Sequence, residues 1–242
     1  MSATVEFRDV SYRIGAKQIL SHLSLSVEQG QTLVLLGRSG SGKTTALKMV
    51  NGLIRPTEGQ VLVEGKPTTE WDLIRLRRRI GYVIQDVGLF PHFTVSENIG
   101  LVPRLEGWEP QVIDRRVREL LAMLDLPPEQ FLNRYPRELS GGQRQRVGVA
   151  RALAANQQAL LFDEPFGALD PVTRHEIQQQ FLHVSRTLGK TSIFVTHDPR
   201  EAMLLATRIA LLREGRLEVL EAPADFLRAP GEEAQAFRAC LG

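Results

Sequence analysis

The sequence of 242 residues has a single cysteine, Cys240, close to its C-terminal end. That scarcity excludes an intramolecular disulfide and fits a reducing compartment. Long apolar runs are also missing: none approaches the roughly 18 residues that span a bilayer. No basic region followed by an apolar segment opens the chain, so a cleaved export signal is not expected. We therefore expect a soluble chain which, if it works at a membrane, is held there by a partner. Charge of one sign is lacking too, since 30 basic and 28 acidic residues are interspersed to a formal net charge of +2. Such a balance carries no nucleic-acid-binding tail, and the cluster Arg75-Leu76-Arg77-Arg78-Arg79 reads as a solvated helix face. Internal repeats and low-complexity segments are absent as well.

What is present is an ordinary globular composition, 43% hydrophobic, over a length that allows one large domain or two small ones. Residues 32–36 are a short continuous apolar run, as expected of a strand buried on both faces in a parallel sheet. Directly behind it stand Gly37-Arg38-Ser39-Gly40-Ser41-Gly42-Lys43-Thr44, which match the P-loop pattern, with a helix expected over 45–53. In that pattern glycines let successive backbone N–H groups converge on phosphates, Lys43 reaches the β- and γ-phosphates, and the Thr44 hydroxyl ligates Mg²⁺. Nucleotide binding is thus the firmest function readable from residues alone.

Around this centre, residues 5–14 and 23–27 alternate as strands of an antiparallel sheet, with a turn at 28–30 and Tyr12 between them. Tyr12 reads either as a half-buried sheet residue or as a platform for a purine ring. A turn over 55–60, a strand at 61–63, a helix over 71–79 and a strand at 80–84 ending in Gln85 follow. Apolar positions recur at helical spacing over 111–126, and no strand signal falls between 88 and 157. Within that region Leu139-Ser140-Gly141-Gly142-Gln143 is poorly suited to packing. Its glycines mark a helix start with Ser140 as N-cap, an end that suits an anion or simply closes a loop. Residues 159–162 form another buried strand ending in Asp163 and Glu164, the place where P-loop enzymes hold Mg²⁺ and polarise water. Ala168-Leu169-Asp170, a helix over 171–188, and a strand over 191–195 running into Thr196-His197-Asp198 come next. Strands at 209–212 and 217–219 and helices near 224–228 and 232–239 close the pattern. Gln85, Asp163 and His197 all end strands at one sheet edge, where ligands of such folds bind.

Taken together and in this order, the P-loop, Gln85, Leu139 to Gln143, Leu160 to Glu164, Ala168-Leu169-Asp170 and His197 resemble the nucleotide-binding subunit of an ATP-binding-cassette (ABC) transporter. The resemblance covers nearly the whole chain. It implies an α/β fold: a P-loop NTPase core with a mixed, mostly parallel sheet, an N-terminal antiparallel β-subdomain and an inserted α-helical subdomain. The core would comprise about 1–87 and 158–242, the helical subdomain about 88–157, and no C-terminal regulatory domain is expected. By resemblance Tyr12 stacks on adenine, Gly37, Arg38, Ser39, Gly40, Ser41, Gly42, Lys43, Thr44 and Thr45 bind ATP, and Thr44, Gln85 and Asp163 serve Mg²⁺. Glu164 polarises the hydrolytic water, His197 senses the γ-phosphate, and Gln85 also couples the site to a permease. Leu139, Ser140, Gly141, Gly142 and Gln143 would contact ATP held by a second subunit, with Asp170 in the loop that crosses the dimer interface. A homodimer on the inner face of the cell membrane, integral-membrane permease subunits and, indirectly, a solute-binding protein are the partners implied, with no nucleic acid.

A finer likeness concerns Gly88 to Trp108, with Phe90-Pro91-His92-Phe93 and Gly107-Trp108, which resembles importers of quaternary amines such as glycine betaine, choline or carnitine. Importers of amino acids and ions share the Phe-Pro-His feature, so another small solute stays open, as does a cassette serving lipid transport. Soluble cassette ATPases acting on nucleic acid are disfavoured, because they carry tandem cassettes, coiled-coil insertions or strongly basic extensions.

Overall fold

A computed structural model describes residues 3–85, 87–167 and 169–241. The chain runs through β1 (Ala3–Ile14), β2 (Lys17–Glu28), β3 (Thr32–Leu36), α1 (Lys43–Val50), β4 (Glu58–Val63), β5 (Lys66–Pro67), α2 (Leu73–Arg79) and β6 (Ile80–Ile84). Helices α3 (Val95–Leu105), α4 (Pro110–Met123), α5 (Pro128–Phe131) and α6 (Gly141–Leu153) precede β7 (Ala159–Asp163) and α7 (Pro171–Leu188). Then come β8 (Thr191–Thr196), α8 (Pro199–Leu205), β9 (Arg208–Arg213), β10 (Arg216–Glu221), α9 (Pro223–Phe226) and α10 (Glu232–Ala239). Two compact units result, one from the residues up to Arg77 together with those from Gly189 onward, the other from Arg78 to Leu188.

The first unit holds the antiparallel sheet β2-β1-β4-β5 and a mixed, mostly parallel array in which β3 pairs in parallel with both β8 and β9, while β10 runs antiparallel to β9. Every residue of β3 and of β8 is buried. Buried faces on both sides favour apolar side chains, which explains the run from Leu33 to Leu36, while the buried polar residues Thr32, Thr191, Ser192 and Thr196 stand at the strand ends. The β1–β2 hairpin is longer than alternation indicates. Lys17 and Gln18 are exposed and carry no apolar signal, yet they pair with Ile14 and Arg13 through the backbone. The turn expected over 55–60 is likewise part strand, because Glu58 and Gln60 pair with Ser11 and Arg8 although their side chains face solvent. Helix α1 starts at Lys43 instead of residue 45 and buries Ala46, Leu47, Met49 and Val50.

The second unit holds the parallel pair β6–β7 and the helices α3 to α7, and its described residues between 88 and 157 contain no strand. Helix α3 escaped the periodicity reading, but its start was legible. Thr94 and Glu97 form a reciprocal capping box, with the Glu97 amide donating to Thr94 Oγ1 at 3.2 Å and the Thr94 amide to Glu97 Oε2 at 2.7 Å. One fully buried residue of α3, Asn98, shapes the loop before it. Its Oδ1 accepts from the Phe90 amide at 2.8 Å, and its Nδ2 lies 3.1 Å from the Phe90 and Phe93 carbonyl oxygens and 3.0 Å from that of Thr94. Phe90, His92 and Phe93 pack on the resulting turn with centroids 4.7–6.1 Å apart, His92 meeting both phenylalanines edge to face and the two phenylalanines tilted against each other.

Candidate functional site

In the first unit the glycine-rich loop leaves β3 and enters α1. A Cβ on Gly37 would lie 2.3 Å from the Leu212 carbonyl oxygen, and one on Gly42 would lie 2.9 Å from that of Ile19. Backbone cannot move aside as a side chain can, so this loop takes its shape only with glycine at both places. Gly42 also sits at φ 97° as the N-cap of α1, and no side chain caps that end. Lys43 is 4% exposed, and its Nζ donates to the Gly37 and Arg38 carbonyls at 2.8 Å each. An ammonium held against the loop carbonyls beside an uncapped helix start is an arrangement that suits a phosphate. Thr44 and Thr45 are half-buried on the first turn, while Arg38, Ser39 and Gly40 are exposed and Ser41 is buried. Arg38 reaches out of the loop to Glu233 of α10 at 2.7 Å, and the two flank a cavity of about 540 Å³ with Ser39, Gly40, Ser41 and Glu232.

Tyr12 is half-buried on β1 and paired with Leu20, whose Cδ2 lies 2.6 Å from where a Gly42 Cβ would be. The tyrosine thus stands one strand away from the phosphate loop. His197 is exposed just beyond β8, whose Thr196 pairs with Leu36, so it leaves the sheet beside the start of the glycine loop. The helix behind it was not foreseen, although Asp198-Pro199 is a start signal: the Arg200 amide donates to Asp198 Oδ1 at 2.8 Å, and Pro199 occupies the first turn. Thr196 in turn donates its hydroxyl to the buried Glu201 carboxylate at 2.6 Å.

The second unit carries the acidic strand end and the Ser140 stretch. Ile84 pairs with Asp163, so Gln85 and Glu164 leave their strands side by side. The Gln85 Nε2 lies 3.3 Å from the Cβ position of Gly167 in the loop after Glu164. Asp163 accepts from the Tyr82 hydroxyl at 3.2 Å. Burial, reinforced by the Asp163 charge, holds that phenol far above its ordinary range, so it stays a donor. Glu164 has φ 47°, a left-handed conformation that a glutamate rarely adopts and that concentrates at functional positions.

Helix α6 begins as the sequence indicates. Ser140 caps it, with the Gln143 amide donating to Ser140 Oγ at 3.2 Å and the Ser140 amide to Gln143 Oε1 at 3.0 Å. Leu139 and Gly142 are buried, whereas Ser140 and Gly141 are exposed. The two glycines have different reasons. A Cβ on Gly142 would meet Thr173 Cγ2 of α7 at 2.5 Å, while one on Gly141 would touch only Leu169 at 3.8 Å. Close helix packing therefore explains Gly142, and Gly141 alone is left open for a visitor. Asp170 caps α7, accepting from the Val172 and Thr173 amides at 3.2 and 3.1 Å. Hydrogen bonds from the Thr173 side chain and backbone hold its carboxyl below the ordinary range. Ala168 lies outside the described residues.

Two residues here went unremarked in the sequence. Tyr82 gave no signal apart from being a polar tip in a buried strand. Arg151 did give one, as a charge amid the small apolar run Gly148-Val149-Ala150 and Ala152-Leu153. It donates to the Val87 and Gly88 carbonyls at 2.7 and 2.8 Å.

A mixed, mostly parallel array with a glycine loop between its central strand and a helix defines a P-loop nucleotide-binding protein. Residues 20–167 match the family model described as ABC transporter. The chain belongs to that family. It is 50% identical over 216 residues to the carnitine transport ATP-binding protein OpuCA of Listeria monocytogenes, covering 89% of this chain and 54% of that one. It is 46% identical over 229 residues to the glycine betaine uptake system ATP-binding protein YehX of Escherichia coli, covering 95% and 74%. An ATP-binding cassette solved as a dimer in a post-hydrolysis state, bound to ADP and Pi, superposes with a TM-score of 0.80 at 36% identity, covering 90% of this chain and 98% of that one. The chain spans little more than half the length of relatives such as OpuCA.

Proposed function

We propose that this chain is the ATP-hydrolysing subunit of an importer for quaternary-amine osmoprotectants. The observation that carries the reading is the conjunction of the Lys43 phosphate cradle with about half-identity to ATP-binding proteins named for carnitine and glycine betaine transport. Lys43 and the loop amides hold the β- and γ-phosphates, Tyr12 stacks on the adenine, and Arg38 to Thr45 line the rest of the nucleotide. His197 donates toward the γ-phosphate. Glu164 orients water for attack and accepts its proton, in a conformation its left-handed backbone fixes.

Among the described residues no group of three or more His, Cys, Asp or Glu side chains could hold a metal by itself. Mg²⁺ arriving with ATP needs no such group, since it is bound through one or two carboxylates together with substrate phosphates. Thr44, Asp163 and Gln85 would hold the ion, and the Tyr82 hydroxyl orients the Asp163 carboxylate by donating to it at 3.2 Å. The chemistry the ion would supply when bound is neutralisation of phosphate charge.

The exposed Ser140 and Gly141 face nucleotide on a second copy of this chain, and Asp170 lies in the loop that crosses between copies. A homodimer is the simplest assembly. Among the described residues no helix is long and apolar enough to cross a membrane. On this reading integral-membrane permease subunits hold the dimer at the inner face of the cell membrane, and a solute-binding protein delivers the cargo. The region after Gln85 carries the motion of closure to the permease, and nucleic acid has no part in the cycle.

Uptake tests the cargo. Deleting the gene should abolish accumulation of radiolabelled glycine betaine, choline or carnitine under salt stress, with restoration by a plasmid copy. Intact uptake of all three, alongside loss of an amino acid or ion, would move the assignment to that solute.

A further inference from the structure

Resting on the ATPase reading, we propose that Arg151 and Gly148 are positioning residues that fasten Val87 and Gly88 to the helix bearing Ser140. Gly148 and Arg151 stand three residues apart on α6 and so share a face. A Cβ on Gly148 would fall 2.2 Å from Val87 Cγ1, too close for any side chain to coexist with that valine. Glycine is among the least favoured residues in a helix interior, and here it admits the neighbouring segment against the helix backbone. One turn on, the Arg151 guanidinium spreads its planar fork over two successive carbonyls, those of Val87 at 2.7 Å and Gly88 at 2.8 Å. Burial lowers the pKa of Arg151, a cost of desolvation that a solvated helix face would not carry.

Both contacts act on the loop without using its side-chain chemistry beyond one methyl group. Val87 is two positions from Gln85, and Ser140 caps the same helix. A shift of Gln85 is thereby handed to the Ser140 end of α6, and nucleotide seated on Gly141 bears back on Gln85. The device joins the two elements of this unit that the proposed cycle uses at different stages, the hydrolytic shell and the contact with the second copy.

The compensating pair gives the test. Gly148→Ala collides with Val87, Val87→Ala removes the colliding methyl, and the double variant should fit again. Amide hydrogen exchange of residues 87–93 is followed in the full chain, with ATP turnover and the Kd for a fluorescent ATP analogue. Gly148→Ala should raise exchange over 87–93 about 10-fold and lower kcat about 10- to 100-fold, with the analogue Kd unchanged. Adding Val87→Ala should restore both. Arg151→Met should behave like Gly148→Ala, and Arg151→Lys should fall between, since it keeps the charge and loses the fork. Unchanged exchange in Gly148→Ala and Arg151→Met, a double variant no better than Gly148→Ala, or raised exchange at full kcat would overturn the proposal. Should Arg151→Met fail to fold, the compensating pair and Arg151→Lys decide. A wild-type chain that neither binds nor hydrolyses ATP sinks the ATPase reading instead, and the exchange cycle still decides whether loop and helix are fastened.

Discussion

Helix α1 begins behind Gly42 and helix α6 behind Ser140, and the two starts treat their backbone amides differently. At α1 no side chain caps the end, and Lys43 is folded back over the loop carbonyls. At α6 the Ser140–Gln143 pair satisfies one amide at each partner. An uncapped start holds its donors for a ligand, while a capped start has already given some away. The first therefore suits an anion seated directly on the loop, as the proposed ATP site requires. The second offers Gly141 and a hydroxyl already in use, which suits a weaker contact made only when another surface arrives.

The sharpest way to break this comparison is to remove chemistry and keep binding. Glu164→Gln should cut ATP turnover by about 10²- to 10⁴-fold while leaving nucleotide affinity intact and favouring an ATP-bound dimer, read by light scattering. A variant that stayed active would remove Glu164 from the mechanism.

The glycines come next. Gly142→Ala drives a methyl into Thr173 and should destabilise the chain by about 1–3 kcal/mol, whereas Gly141→Ala should cost nothing in stability and fail only in dimer formation. Equal melting temperatures for the two would show that α7 yields. Ser140→Ala deletes the cap and should lower stability by about 1 kcal/mol, measured by urea denaturation. At α1 the matching experiment is Tyr12→Ala, expected to weaken nucleotide binding by about 3- to 10-fold without shifting the melting temperature. The smallest effect belongs to Asp170. Its folded carboxyl sits below the ordinary value of 3.8, so its contribution is present above that pH and fades as pH falls through the depressed value. Exchange protection at the start of α7 should drop in that acid range, and Asp170→Ala should abolish the dependence.

The glycine loop after β3, the polar residues that end β6, β7 and β8 and the Ser140 cap were legible because each is local: a run, a spacing or a cap confined to a few residues. Helix α7, strand β6 and helix α10 fall where periodicity places them for the same reason. What escaped was made by pairing at a distance. Lys17 and Gln18 enter β2 through backbone bonds to β1, and Glu58 enters β4 in the same way. Tyr82 acquires its meaning only when β6 and β7 align. The reason for Gly142 lies on α7, more than thirty positions onward, at Thr173. Of the candidate residues, Asp170 shows how one position can satisfy two accounts, since it already caps a helix before any second copy is considered.

Asn98 has a consequence for how the turn before α3 can vary. Because this one buried amide dictates the course of the main chain from Phe90 to Thr94, the outline of the turn is encoded outside it. Phe90, exposed on that turn, can then be exchanged without remaking its backbone. A turn held in this way can change its exposed side chains while its main chain keeps the same course.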